Sequence, residues 1–128
     1  MLLLAALMLA AAPADSSCRS PRVQSEMNRC AAVDFERADG AMNLAWRSAL
    51  AFVRDQDKEA AFQPDGKPSG ESQLRDAQRA WLIFRDAHCT VESYGARGGT
   101  MEPMLYDACR ARVTRERTRQ LRSLGSAG

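Results

Sequence analysis

The fold class that this chain predicts is a small all-α, disulfide-bridged bundle of three helices running up-down-up, and three observations carry it. Apolar residues recur at three- and four-residue steps through three long segments. Short stretches dense in glycine, proline and small polar residues separate those segments. No stretch alternates apolar and polar residues as a half-buried strand would, and no internal repeat is present. The 128 residues leave room for one domain with a modest core. A hydrophobic content of 45% is too high for a disordered chain, and eight glycines with five prolines exclude collagen-like and low-complexity classes.

Residues 1–14, MLLLAALMLAAAPA, carry no charge. The apolar run from Leu2 to Ala12 is about half the roughly 20 residues that a membrane-spanning helix needs. Ala12 and Ala14 place small side chains where a signal peptidase slot accepts them, so 1–14 reads as a signal peptide and 15–128 as the mature domain. The basic residues usual ahead of such a run are missing. Asp15-Ser16-Ser17 also lacks the aliphatic residue usual before a lipidated Cys18. The expected location is periplasmic or secreted, and the expected protein is not transmembrane.

The first helix is expected over 22–62, where Cys30, Val33, Met42, Trp46, Ala49, Leu50 and Val53 recur at helical spacing. Gly40 interrupts it and weakens the case for one continuous rod, since an interior Gly costs about 1 kcal/mol against Ala. Gln63 to Gly70 is the clearest loop. A second helix follows over 71–94, with Leu74, Ala77, Trp81, Phe84 and His88 along one side and Gln78, Leu82, Arg85 and Cys89 beside them. Gly95 is expected to stop it as a glycine just past a helix C-terminus. The third helix spans 102–124, with Pro103 tolerated in its first turn.

Export favours two disulfides among Cys18, Cys30, Cys89 and Cys109. No Cys-x-x-Cys pair suggests zinc or thiol redox chemistry. Four cysteines allow three connectivities. An antiparallel second and third helix would bring Cys89 and Cys109 to one level, which favours Cys89–Cys109 with Cys18–Cys30. The rival is Cys30–Cys109 with Cys18–Cys89.

Glu26 to Ala31, Ala38-Asp39 and Met42-Asn43 in the first helix resemble the opening of the LprI-like lysozyme inhibitor family. Leu74, Ala77-Gln78-Arg79-Ala80-Trp81-Leu82 and Phe84-Arg85-Asp86-Ala87-His88-Cys89 resemble its most specific element. Gly98-Gly99-Thr100, Cys109, Thr114, Arg117-Thr118 and Leu121 complete the pattern, which covers roughly 18–121. Gly40-Ala41 replaces the charged pair usual before Met42-Asn43. The resemblance implies a secreted, cysteine-bridged helical domain and, for some members, inhibition of host lysozyme.

An enzyme reading finds little to stand on, and a small hydrolase working through paired carboxylates is the weakest of the three readings. His88 is the lone histidine and reads as a packed residue with no second ligand at metal spacing. No hydrolase elbow, phosphate loop or zinc-protease motif is present, and pairs such as Asp86 with Glu92 or Asp39 are at background for a chain with 27% charged residues. Neither cofactor nor metal is expected. Gln78, Arg79, Trp81, Arg85 and Asp86 read as structural, with Arg85 and Asp86 diverging on the helix and reaching across to Asn28, Asn43 or Asp39.

Charge divides unevenly. Residues 1–109 hold 12 basic and 15 acidic side chains, a net of −3, whereas 110–128 hold six arginines against Glu116, a net of +5. Arg112, Arg115, Arg119 and Arg122 form one face of the third helix, which as a binding surface would suit anionic envelope polymers or membrane phosphates rather than nucleic acid. Lysozyme is cationic, so this face would repel it and the acidic body would attract it. The loop Arg97-Gly98-Gly99-Thr100 offers a donor, two flexible residues and a hydroxyl for a glycosidase cleft with its two carboxylates. Its glycines also suffice as a simple turn.

Overall fold

The computed structural model describes residues 16–126, so the expected signal peptide over 1–14 and the mature start at Asp15 lie outside the described residues. A 3-10 turn at Ser16–Arg19 precedes α1 (Gln24–Ala60), α2 (Gly70–Ser93), a second 3-10 turn (Tyr94–Ala96) and α3 (Glu102–Ser126). No strand occurs among the described residues. The helices alternate in direction, and α3 packs most extensively on α1, less on α2, with α1 and α2 touching least.

At 37 residues α1 is roughly 55 Å long and runs through Gly40 without a break. The weakness expected there does not appear, because Ala38, Met42, Ala45, Ala49 and Val53 on one face are all buried and hold both sides of Gly40 in register. Packing of an apolar face outweighs one poor helix former. α2 starts under two devices. The Ser69 hydroxyl accepts from the Ser72 amide at 3.1 Å, and the Asp57 carboxylate of α1 accepts from the Gly70 and Glu71 amides at 2.7 and 3.0 Å. Gly95 does not stop α2 in a left-handed conformation. The helix tightens into a 3-10 turn through it, and the positive φ falls on Gly98, at 77°.

The core has two parts. Met42, Ala45, Ala49, Leu50, Val53, Leu74 and Leu121 form one, with Trp46, Phe52 and Trp81 packed on it. Cys89, Cys109 and Val113 form the other, flanked by Trp81 and Tyr106, so Trp81 joins the two. Disulfides connect Cys18 to Cys30 and Cys89 to Cys109, each with Cα atoms 5.4 Å apart. The second ties α2 to α3 inside the core. The first ties the N-terminal turn to α1.

The inward side of α2 differs from expectation. Leu74, Arg85, Cys89 and Ser93 are buried, while Ala77, Phe84 and His88 face outward. The two adjoining rows on α2 are both partly apolar, and the position of the disulfide decides which row turns in.

Candidate functional site

Three places hold the expected functional residues: a polar layer inside the bundle, the arginine face of α3, and the loop between α2 and α3. In the polar layer Arg85 is buried. Its Nε donates to Asp86 Oδ1 at 2.9 Å, Nη1 donates to Thr114 Oγ1 at 3.4 Å, and Nη1 lies 3.6 Å from Asp39 Oδ1. The expected reach to Asp39 is there, and Asn28 and Asn43 take no part in these contacts. The direct Arg85–Asp86 contact corrects the expectation that neighbours diverge. Cβ directions do diverge, but the arginine chain is long enough for its guanidinium to curl back. Gln78 Oε1 accepts from Arg117 Nε at 2.9 Å, linking α2 to α3. Burial holds the Arg117 guanidinium below its usual range. Arg79 lies outside this layer, exposed and paired with Asp76 one turn back.

The arginine face is partly consumed by the fold. Arg112 Nη2 donates to both Glu92 oxygens at 2.7 Å, and Arg115 pairs with Asp34 of α1. Arg112 therefore ties α3 to α2 and Arg115 ties α3 to α1. Arg119 and Arg122 are exposed. Glu92 also lies 3.2 Å from His88 Nε2. His88 does have a carboxylate at helical ligand spacing, contrary to the sequence reading, and sits exposed with its ring stacked on Phe84 at 5.3 Å. The ligand atoms of His88, Glu92 and Cys109 fall within 4.8 Å of one another. The Cys109 sulfur is held in a disulfide and Glu92 is held by Arg112, and both commitments compete with a cation.

The loop between α2 and α3 is tightly built. Arg97 donates its amide to Tyr94 O at 3.2 Å and Gly99 to Ala96 O at 2.9 Å. The Gly98 amide donates to Glu102 Oε2 at 2.6 Å, and Asn28 Nδ2 from α1 donates to Thr100 O at 2.9 Å. The glycines thus form the turn, Gly98 through its left-handed backbone. Arg97, Thr100 and Met101 remain exposed, and the Arg97 guanidinium lies 4.3 Å from the centre of the Tyr94 ring. Beside the loop lies a shallow cleft of about 480 Å³, lined by Thr90 and Ser93 of α2, Gly98 and Gly99, and Glu102, Pro103 and Tyr106 of α3. Sequence reasoning missed Tyr94, Met101, Asn28 and Glu102 here. Glu102, four residues past Gly98 at a helix start, was the one legible signal.

The sequence profile of the family described as lysozyme inhibitor LprI matches residues 15–121. The chain belongs to the LprI lysozyme inhibitor family. An uncharacterized protein of Rhizobium meliloti strain 1021 is 36% identical over 126 residues, covering 94% of this chain and 91% of that protein. The crystal structure of a DUF1311 family protein from Pseudomonas putida KT2440 superposes with a TM-score of 0.68 at 28% identity, covering 80% of this chain and 94% of the other. No helix among the described residues of this LprI-family chain is long and apolar enough to cross a membrane.

Proposed function

We propose that the protein is an exported, non-catalytic inhibitor of a lysozyme-type glycosidase, and that the loop Arg97-Gly98-Gly99-Thr100 enters the enzyme's cleft. The observation that carries this reading is the family match over residues 15–121. The loop geometry supports it further. Arg97 and Thr100 project from a turn whose backbone is fixed by Glu102, Asn28 and the Ala96 carbonyl, so little ordering entropy is lost on binding. A guanidinium suits the paired carboxylates of a glycosidase cleft. Two disulfides among the described residues suit an oxidising, extracytoplasmic compartment.

The test is titration of several lysozyme classes on a cell-wall substrate with the disulfide-bonded protein. Stoichiometric loss of activity is expected for at least one class. Arg97→Ala combined with Thr100→Ala is expected to weaken inhibition tenfold or more while leaving the helical circular dichroism unchanged. Absence of inhibition of every class at micromolar protein overturns the function, and inhibition indifferent to the double substitution overturns the loop.

The second reading, binding of anionic envelope polymer or membrane through Arg112, Arg115, Arg119 and Arg122, draws less support. Two of its four cations already have carboxylate partners within the bundle. Arg119→Gln should abolish polymer pull-down under that reading and spare inhibition under the first.

A further inference from the structure

The outer face of α2 carries apolar residues at an unusual spacing. Ala77, Ala80, Phe84, Ala87, Val91 and Tyr94 follow alternating three- and four-residue steps, the period of a coiled-coil seam. All six are exposed, Phe84 at 56%, Val91 at 69% and Tyr94 at 44%. Ile83 borders them at 73%. The inward face of the same helix meanwhile holds buried Arg85 and half-buried Gln78. Beyond His88 stacked on the Phe84 ring and Arg97 on the Tyr94 ring, the outer seam stays exposed among the described residues. A solvated helix face has no need of Ile83, Phe84 and Val91 on one side, and contiguous apolar surface of this kind marks an interaction site.

We propose that this seam binds a second copy of the same chain, the two α2 helices packing antiparallel about a two-fold axis. The order of large and small residues singles out this occupant. In an antiparallel seam each first-position residue faces a fourth-position residue of the other helix. One register then sets Phe84 on Ala87 of the second copy, Val91 on Ala80 and Tyr94 on Ala77. Every large residue meets a small one, and the symmetry repeats each pair. Parallel pairing instead opposes Phe84 to Phe84 and Ala87 to Ala87, which alternates clashes with gaps. The inference is independent of lysozyme inhibition.

Sedimentation of the purified, disulfide-bonded chain from micromolar to millimolar concentration tests it. The wild type is expected to move from monomer to twice its mass. Ala87→Glu and, separately, Val91→Lys are expected to raise the dissociation constant tenfold or more with unchanged circular dichroism, and Val91 is exposed enough that its replacement spares the fold. A monomer at every concentration overturns the proposal, as happens if another protein or the chain's own N-terminal segment covers the seam. A dimer indifferent to both seam substitutions overturns its placement on α2.

Discussion

Arg110 holds its guanidinium carbon 3.8 Å from the centre of the Phe35 ring. The same ring receives Arg85 at 5.1 Å, so one aromatic of α1 is shared by cations from α2 and α3. The pattern continues outward, with Arg85 5.2 Å from the Trp81 ring and Arg110 4.5 Å from Tyr106. Arginines thus do in this small bundle what a larger apolar core would do elsewhere.

Phe35→Leu keeps most of the apolar volume and removes the ring face. It is expected to cost about 1–2 kcal/mol, the loss of two partly desolvated cation–π contacts. Denaturant unfolding measures it. A leucine variant as stable as the wild type would show that bulk alone matters at this position.

Replacing either disulfide by a pair of alanines costs about 3 kcal/mol in chain entropy, because loops of 12 and 20 residues differ little in a logarithm. Cys89 and Cys109 are in addition almost wholly buried, whereas Cys18 is half-exposed. The Cys89–Cys109 pair is therefore expected to cost more than Cys18–Cys30, the excess being lost packing. Thermal unfolding of the two double variants compares them directly. Equal losses would mean that the bridges act through the unfolded chain alone.

Acid should weaken the bundle through two carboxylates. Hydrogen bonds from Arg54 first and Arg75 second hold the Glu71 carboxyl below its usual range, and Arg112 does the same for Glu92, with a smaller part from His88. A carboxyl whose folded pKa lies below its unfolded value contributes stability above the unfolded value, and that contribution fades as pH falls through the folded one. Melting temperature is expected to fall below about pH 4.5, where free Glu protonates. Glu71→Gln with Glu92→Gln should flatten that fall. A slope that the double variant leaves untouched would assign the acid sensitivity to other carboxylates.

Two glycines should respond with opposite sign to the same change. Gly40 sits inside α1 with open space around its Cα, so Gly40→Ala is expected to stabilise by about 0.5–1 kcal/mol. Gly98 has φ 77°, where a Cβ is strained, so Gly98→Ala should cost about 1–2 kcal/mol. The latter should also loosen the Arg97–Thr100 loop, read as faster amide exchange at Gly99. If Gly40→Ala destabilises, α1 needs a bend that its hydrogen bonds do not reveal.

The amino-acid sequence by itself determined what depends on local chemistry: three helices within a few residues of their ends, the loops between them, and the apolar period of α1. It also made the level of Cys89 and Cys109 legible, since that follows from counting turns on two antiparallel helices. Tertiary structure alone decided which row of α2 turns inward. Phe84 and His88 share a helical side with Leu74 and Trp81 in the sequence, yet the bridge at Cys89 and the pairing of Arg85 with Asp39 rotate both outward. Pairings between helices were equally hidden. Arg112 finds Glu92, Arg115 finds Asp34 and Asn28 finds Thr100, because residues 20 to 81 positions apart meet only once the chain has packed. Periodicity states that a helix has two faces, and only the partners gained across the bundle select which face is buried.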